Sequence, residues 1–286
     1  MHFLEILKVI FLGIIEGITE WLPVSSTGHL ILFDKFFPLK GVSEPFKAVF
    51  EYVIQLAAIL AVVVYFWNRL FPIGKKTEEN GTSKLVWKKD CLSVWGKVLI
   101  ACIPAVLALV VDGLFEKLSD MQETIVIAST LIVYGIAFIL VDRWNKRKSA
   151  KISEISSLSL KYAFFIGLFQ VLAAVPGTSR SGVTIIGALL LGVSRTAAAE
   201  FTFFLAVPTM VGSSGYKLLK FFLEGNAFTG AEIGYLCIGC AVAFLVSLVC
   251  IKFLMDFVRK HDFTPFGIYR IVLGVVVLSA LVIPYL

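Results

Sequence analysis

The chain has 286 residues, 58% hydrophobic and 16% charged, with a net charge of +6 and a mean hydropathy of +0.91. Soluble domains are roughly 45–50% apolar and about 25% charged, so this composition excludes a water-soluble fold and implies an all-α integral membrane protein. The positive balance does not point to nucleic acid, because the basic residues fall in short connections between apolar runs, as membrane-orientation signals do.

The first apolar segment runs from Phe3 to Phe37 and is interrupted by W-L-P-V-S-S-T-G-H at Trp21 to His29. It carries Glu16 and Glu20 and has no small-residue cleavage site after it, so no cleavable leader is expected. Runs suited to crossing a bilayer follow at Ala48–Trp67, Val98–Val111, Ile125–Val141, Phe201–Phe222, Ile233–Ile251 and Phe266–Leu286. A crossing takes about 20 residues, so the run from Val98 must borrow its flanks. Between the third and fourth of these runs lies a second interrupted segment, Leu160 to Val193, broken by V-P-G-T-S-R-S-G. Cys237 and Cys240 form a C-x-x-C inside an apolar run with no second pair, which reads as packed helix. Three widely separated histidines argue against a closed zinc site.

The connections Arg69–Lys89 and Arg143–Lys161 and the stretch Lys252–Lys260 are basic, whereas those around Asp112–Glu123 and Lys217–Glu232 are acidic or mixed. Positive-inside logic makes the basic ones cytoplasmic. Six full spans then alternate correctly, with the C-terminus outside; Lys35, Lys40 and Lys47 dissent. A break at membrane depth is tolerated only where it is buried in protein or lines a wet cavity, so both interrupted segments read as re-entrant helix-loop-helix hairpins. They also resemble each other. Gly13-x-x-Glu16 followed by Pro23, Ser25, Ser26 and Thr27 is echoed about 154 residues later by Gly167-x-x-Gln170, Pro176, Thr178, Ser179 and Ser181. Glu51 and Glu200, each expected to open an apolar helix, make a second echo. One hairpin and three spans per half give an inverted-topology repeat, with halves at about 1–148 and 149–286 in a single transmembrane domain.

Glu16 and Glu20, four residues apart, share a helix face, and acids at bilayer depth usually mark function. In the first break, Pro23 ends a half-helix, while Ser25, Ser26 and Thr27 suit the N-cap of the next. A helix N-terminus, here reached through Gly28, binds anions, and His29 can exchange protons near neutral pH. The second break, with Thr178, Ser179, Ser181 and Gly182, adds Arg180, whose guanidinium can grip two phosphate oxygens. Gly177 and Gly182 permit close backbone approach. Two facing helix N-termini call for an anionic ligand. Two glutamates would repel it unless they hold protons or a divalent cation stands between, which points to a magnesium-like ion on Glu16 and Glu20.

E-G-I-T-E-W-L-P-V-S-S-T-G-H at Glu16–His29 and P-G-T-S-R-S-G at Pro176–Gly182 resemble the undecaprenyl-diphosphate phosphatase, or bacitracin-resistance, family. The resemblance implies hydrolysis of undecaprenyl diphosphate to the monophosphate at a site opening to the outer face of the bacterial cytoplasmic membrane. It also implies dependence on Mg2+ or Ca2+ and resistance to bacitracin. Glu16, Glu20, Ser26, His29 and Arg180 fall on the family's catalytic motif positions. Either Ser26 attacks phosphorus, with His29 or a glutamate handling its proton, or water attacks directly while Ser26 positions phosphate. The rival class is a lipid-phosphate flippase, which inverted repeats with broken helices would also suit. The expected partners are the lipid substrate and the bilayer, with a homodimer left open.

Overall fold

The computed structural model describes residues 2–77, 83–115, 118–146 and 149–282. Three connection tips lie outside them, including Arg147 and Lys148 at the expected boundary between halves. The last four residues of the final apolar run lie outside as well.

The described chain is almost wholly helical. The first interrupted segment is α1 (Phe3–Thr19) and α2 (Ser26–Phe36). There follow α3 (Glu44–Tyr65), with Pro45 in its first turn, and the single turn α4 (Trp67–Leu70). The run from Val98 does borrow its flanks, as α5 (Lys89–Cys102) and α6 (Ala105–Phe115). Pro104 separates the two because its ring and missing N–H interrupt the ladder. After α7 (Asp120–Lys146) comes the second interrupted segment, α8 (Leu160–Gln170), a 3-10 turn and α9 (Arg180–Leu190). The chain closes with α10 (Arg195–Leu223), α11 (Gly230–Lys260) and α12 (Thr264–Val282).

Among the described residues each predicted apolar run lies largely in helix, with a break at Pro104 in the run from Val98. Glu44–Tyr65, Lys89–Phe115, Met121–Lys146 and Gly230–Lys260 are long and apolar enough to cross a membrane. Large apolar side chains such as Leu107, Leu140, Val249 and Val272 are more than half exposed around the outside, a surface that suits lipid and not water. This is a multi-pass membrane protein.

Two expectations need amendment. Glu51 and Glu200 sit inside α3 and α10, not at their starts. The first basic connection is not a plain loop: β1 (Ile73–Thr77) and β2 (Ser83–Trp87) pair antiparallel there.

α2, α8 and α9 have 11 residues each, about 16 Å of helix and roughly half of a 30 Å hydrocarbon layer. Each pair of short helices meets at its break. Trp21 and Val24 of the first break join Ile185 and Leu189 of α9 in the main apolar cluster, and Trp21 stands edge-on to Phe203 at 5.4 Å. The outer wall behind the breaks is α7 crossing α12. A Cβ at Gly135 would lie 2.7 Å from the Gly267 carbonyl, and one at Gly267 equally close to that of Gly135. Backbones this near require small residues on both sides. Gly135→Ala is expected to cost about 1–3 kcal/mol through overpacking, read as a lower midpoint of thermal unfolding in detergent.

Candidate active site

α1 ends where it must for Glu20 to be its C-cap. The chain then turns through Pro23 and restarts at Ser25, whose φ of 75° is unusual for a non-glycine residue. Its hydroxyl accepts from Gly28 N at 3.5 Å, and so caps α2. The second break repeats this geometry: Ser179 has φ 68° and accepts from Gly182 N at 3.2 Å. These two left-handed serines aim the first turns of α2 and α9, bringing Ser26 and Arg180, the first residue of each helix, toward Glu20.

Glu20 joins the two breaks. Its Oε2 accepts from Ser26 Oγ at 3.1 Å, and its Oε1 accepts from Arg180 Nη2 at 2.9 Å. Ser181 Oγ donates to the Glu20 carbonyl at 3.3 Å and also meets Ser179 Oγ at 3.3 Å. Glu16, one turn earlier, is buried, with Oε1 unpartnered among the described residues, and Glu20, Glu51 and Arg180 are its charged neighbours. Arg180 Nη1 is likewise buried without a partner among the described residues. An unpaired carboxylate oxygen and an unpaired guanidinium nitrogen in one place call for ligands of opposite charge.

His29 sits on α2 with its ring committed elsewhere. Nδ1 lies 2.7 Å from the Ser25 carbonyl, so it carries the proton, and Nε2 accepts from the Tyr269 hydroxyl at 2.7 Å. The two rings also stack at 5.6 Å. The other expected contacts divide. Thr27 is exposed beside Ser26. Gly28 N and Gly182 N are engaged by the capping serines, which leaves the amides at the start of each helix for an anion. Thr178 is buried. The close approach at Gly177 (φ 79°) is to α7, where a Cβ would strike Thr130 and Ile127.

Two participants went unmarked in the sequence reading, Tyr269 and Arg270. Arg270 is fully buried on α12. Its Nη1 donates to the Pro23 carbonyl at 3.3 Å, and Nη2 to those of Gly177 and Thr178 at 3.1 and 3.0 Å. One guanidinium thus ties the two breaks together. An arginine inside the apolar run from Phe266 was the available signal.

Residues 9–276 match the family described as Bacitracin resistance protein BacA. The chain belongs to the BacA family. Among its relatives is an undecaprenyl-diphosphatase of Enterococcus faecalis, 56% identical over 97% of this chain and 98% of that protein. A second, from Lachnoclostridium phytofermentans, is 53% identical over 97% of each chain. A third, from Streptococcus thermophilus, is 51% identical over 97% of this chain and 93% of its own. Both motifs lie within the region matched to the BacA family, so the site just described is a feature of the family region and not of an appended segment.

The residues fit a divalent cation in part. Glu16 and Glu20 offer the oxygen donors that Mg2+ or Ca2+ takes, and Glu16 Oε1 is an orphan suited to one. Among the described residues no third His, Cys, Asp or Glu completes a metal cluster, so remaining donors would have to come from a ligand. Tyr269→Phe keeps the stacking on His29 and removes the hydrogen bond. A bond of this kind contributes about 1–1.5 kcal/mol to stability, so the midpoint of thermal unfolding in detergent is expected to fall by about 2–5 °C.

Proposed function

We infer that the chain hydrolyses undecaprenyl diphosphate to undecaprenyl phosphate and inorganic phosphate, so recycling the cell-wall lipid carrier and conferring bacitracin resistance. The observation that carries this reading is Glu20, whose two oxygens hold the Ser26 hydroxyl and the Arg180 guanidinium.

The terminal phosphate binds at the starts of α2 and α9, where amide groups and Arg180 Nη1 receive its oxygens. Glu20 Oε2, already in contact with Ser26 Oγ, takes the hydroxyl proton as the oxygen attacks phosphorus. The bond from that phosphorus to the bridging oxygen breaks, and undecaprenyl phosphate leaves. Glu20 gives that proton up to the departing lipid phosphate; water then attacks the phosphorus on Ser26, passing a proton to Glu20, and Glu20 returns it to Ser26 Oγ as inorganic phosphate leaves. Arg180 counters charge on the transferring group throughout. Between His29 and a glutamate as proton acceptor, the contacts favour Glu20, since both His29 nitrogens are already bonded. Glu16 and Glu20 would hold a divalent cation, which would neutralise charge on the diphosphate.

The frame is six membrane crossings and two re-entrant hairpins, in inverted halves at about 1–148 and 149–286. Three observations support it: the matching left-handed caps at Ser25 and Ser179, the half-length short helices, and the exchange of packing partners. α1 meets α11 across Gly13, and α8 meets α5 across Gly167. Positive-inside logic supports a C-terminus outside, and the family resemblance supports a site opening toward the outer face of the cytoplasmic membrane. Either one copy or a homodimer satisfies this reading. The flippase alternative is weaker: the relatives are named for a diphosphatase, and the Ser26–Glu20 contact has a chemical use.

The deciding experiment is phosphate release from a polyprenyl diphosphate by purified protein in detergent, where transport cannot register. Release with Mg2+ or Ca2+ that stops on chelation is expected. No release with metal present overturns the reading.

A further inference from the structure

Away from the site, the turn after α3 folds against α5 and leaves a groove of about 460 Å³. Trp67, Leu70 and Phe71 form one wall, Leu92 and Trp95 the other, and Val63 of α3 closes the end. The walls are tied to each other. The Trp67 and Phe71 rings stack at 4.4 Å, and the Leu70 carbonyl accepts from both Trp95 Nε1 at 2.7 Å and Cys91 Sγ at 3.1 Å. The Pro72 carbonyl accepts from Lys88 N at 2.8 Å. With those carbonyls occupied, the groove offers mainly hydrocarbon contact.

Polarity enters at one end. Lys89 opens α5 three residues before Leu92, on the groove side by helical spacing, and Lys88 is the extended N-cap residue just before it. Lys88 Nζ donates to the Asn68 carbonyl at 3.2 Å, which fixes the ammonium at the α4–α5 junction beside the mouth. Asp90, two residues before Leu92, points away from that face. Beside the mouth, β2 exposes Leu85, Val86 and Trp87 at 72%, 37% and 64%. Apolar and aromatic groups flanked by lysines are the make-up of a segment lying at the membrane–water interface.

We propose that this groove holds one acyl chain of an anionic glycerophospholipid, with the lipid phosphate against Lys88 and Lys89 and the β1–β2 hairpin resting on the headgroups. The chemistry of the groove names the occupant. An apolar slot takes a chain, two lysines at its mouth take an anion, and a connection placed in the cytoplasm by its charge meets the leaflet richest in anionic lipid. The leaflet rests on the topology proposed above; the pairing of slot and lysines does not. The site is separate from Glu20 and Ser26, so it sets lipid preference and not chemistry.

The test uses the purified chain in nanodiscs of zwitterionic lipid containing a minor share of either dibromo-phosphatidylglycerol or dibromo-phosphatidylcholine, whose bromines quench nearby tryptophans. Quenching is expected to be stronger with the glycerol lipid. The excess should fall sharply in Trp67→Phe/Trp95→Phe, which removes the two reporters inside the groove and leaves Trp87 at its mouth. It should fall about fivefold for each lysine removed in Lys88→Gln and Lys88→Gln/Lys89→Gln, the effect of one basic residue at an anionic surface. Phosphate release in detergent serves as the check that these variants are folded and should be unchanged. Equal quenching by the two lipids overturns the proposal, as does an excess that survives loss of both lysines. Displacement of the glycerol lipid by a polyprenyl monophosphate, with lipid preference lost, would assign the groove to the prenyl chain and likewise overturn it.

Discussion

Ser26→Ala is expected to lower kcat for phosphate release by about four to six orders of magnitude, the scale seen when a covalent nucleophile is deleted. KM should change little, because the Ser26 hydroxyl is bonded to Glu20 and Arg180 is left to hold the phosphate. Thermal unfolding should also change little, since one half-buried hydroxyl is lost from a helix that keeps its Ser25 cap. Glu20→Gln is the companion measurement. An amide can still meet Arg180 through its oxygen but takes no proton from Ser26, so a loss of about 10²–10⁴-fold is expected. The two losses should not add, because both residues serve one proton transfer. Turnover in Ser26→Ala within about tenfold of the parent chain would sink the covalent route and leave direct attack by water, with Ser26 as a phosphate contact.

What was legible in the sequence, and what was not, follows the reach of each signal. The breaks were legible because polar residues and prolines in the middle of apolar runs must be explained by burial or by a cavity. That the two breaks share one site was legible for the same reason, since charges at depth are costly and gather where they can be satisfied. Those arguments stop at the segment that carries the motif. His29 illustrates the limit. Its residue type suggested a proton acceptor for Ser26, but Ser25 and Tyr269 engage both nitrogens, and Tyr269 is 240 residues away. Gly28 and Gly182 were read as openings for phosphate, yet their amides close the serine caps.

The hairpin β1–β2 was missed because charge counting treats a basic connection only as an orientation signal and ignores its pairing. Pro104 was missed as a break because the apolar run continues on both sides of it.

Arg270 is the sharpest case, and its replacement is the other large expected effect. Its guanidinium is fully buried, and among the described residues its hydrogen bonds go to carbonyls: Pro23 in the first break, Gly177 and Thr178 in the second. Its ring contact is with Tyr134, 5.9 Å to the centroid. It does not touch Glu20 or Ser26 by any of these bonds, so it acts by holding the two breaks at a fixed separation. Arg270→Met would strand three carbonyls, at about 1–3 kcal/mol for each left unsatisfied, and the unfolding midpoint should drop clearly. The catalytic loss should be larger than that drop implies, because a shift of about 1 Å in reacting groups costs on the order of 100-fold. Arg270→Lys separates these effects. Its ammonium can reach one break or the other but lacks the planar fork that spans both. It should recover part of the stability and little of kcat. If Arg270→Lys restored turnover fully, bridging by the guanidinium would not be what sets the geometry, and neutralisation of a buried charge site would take its place.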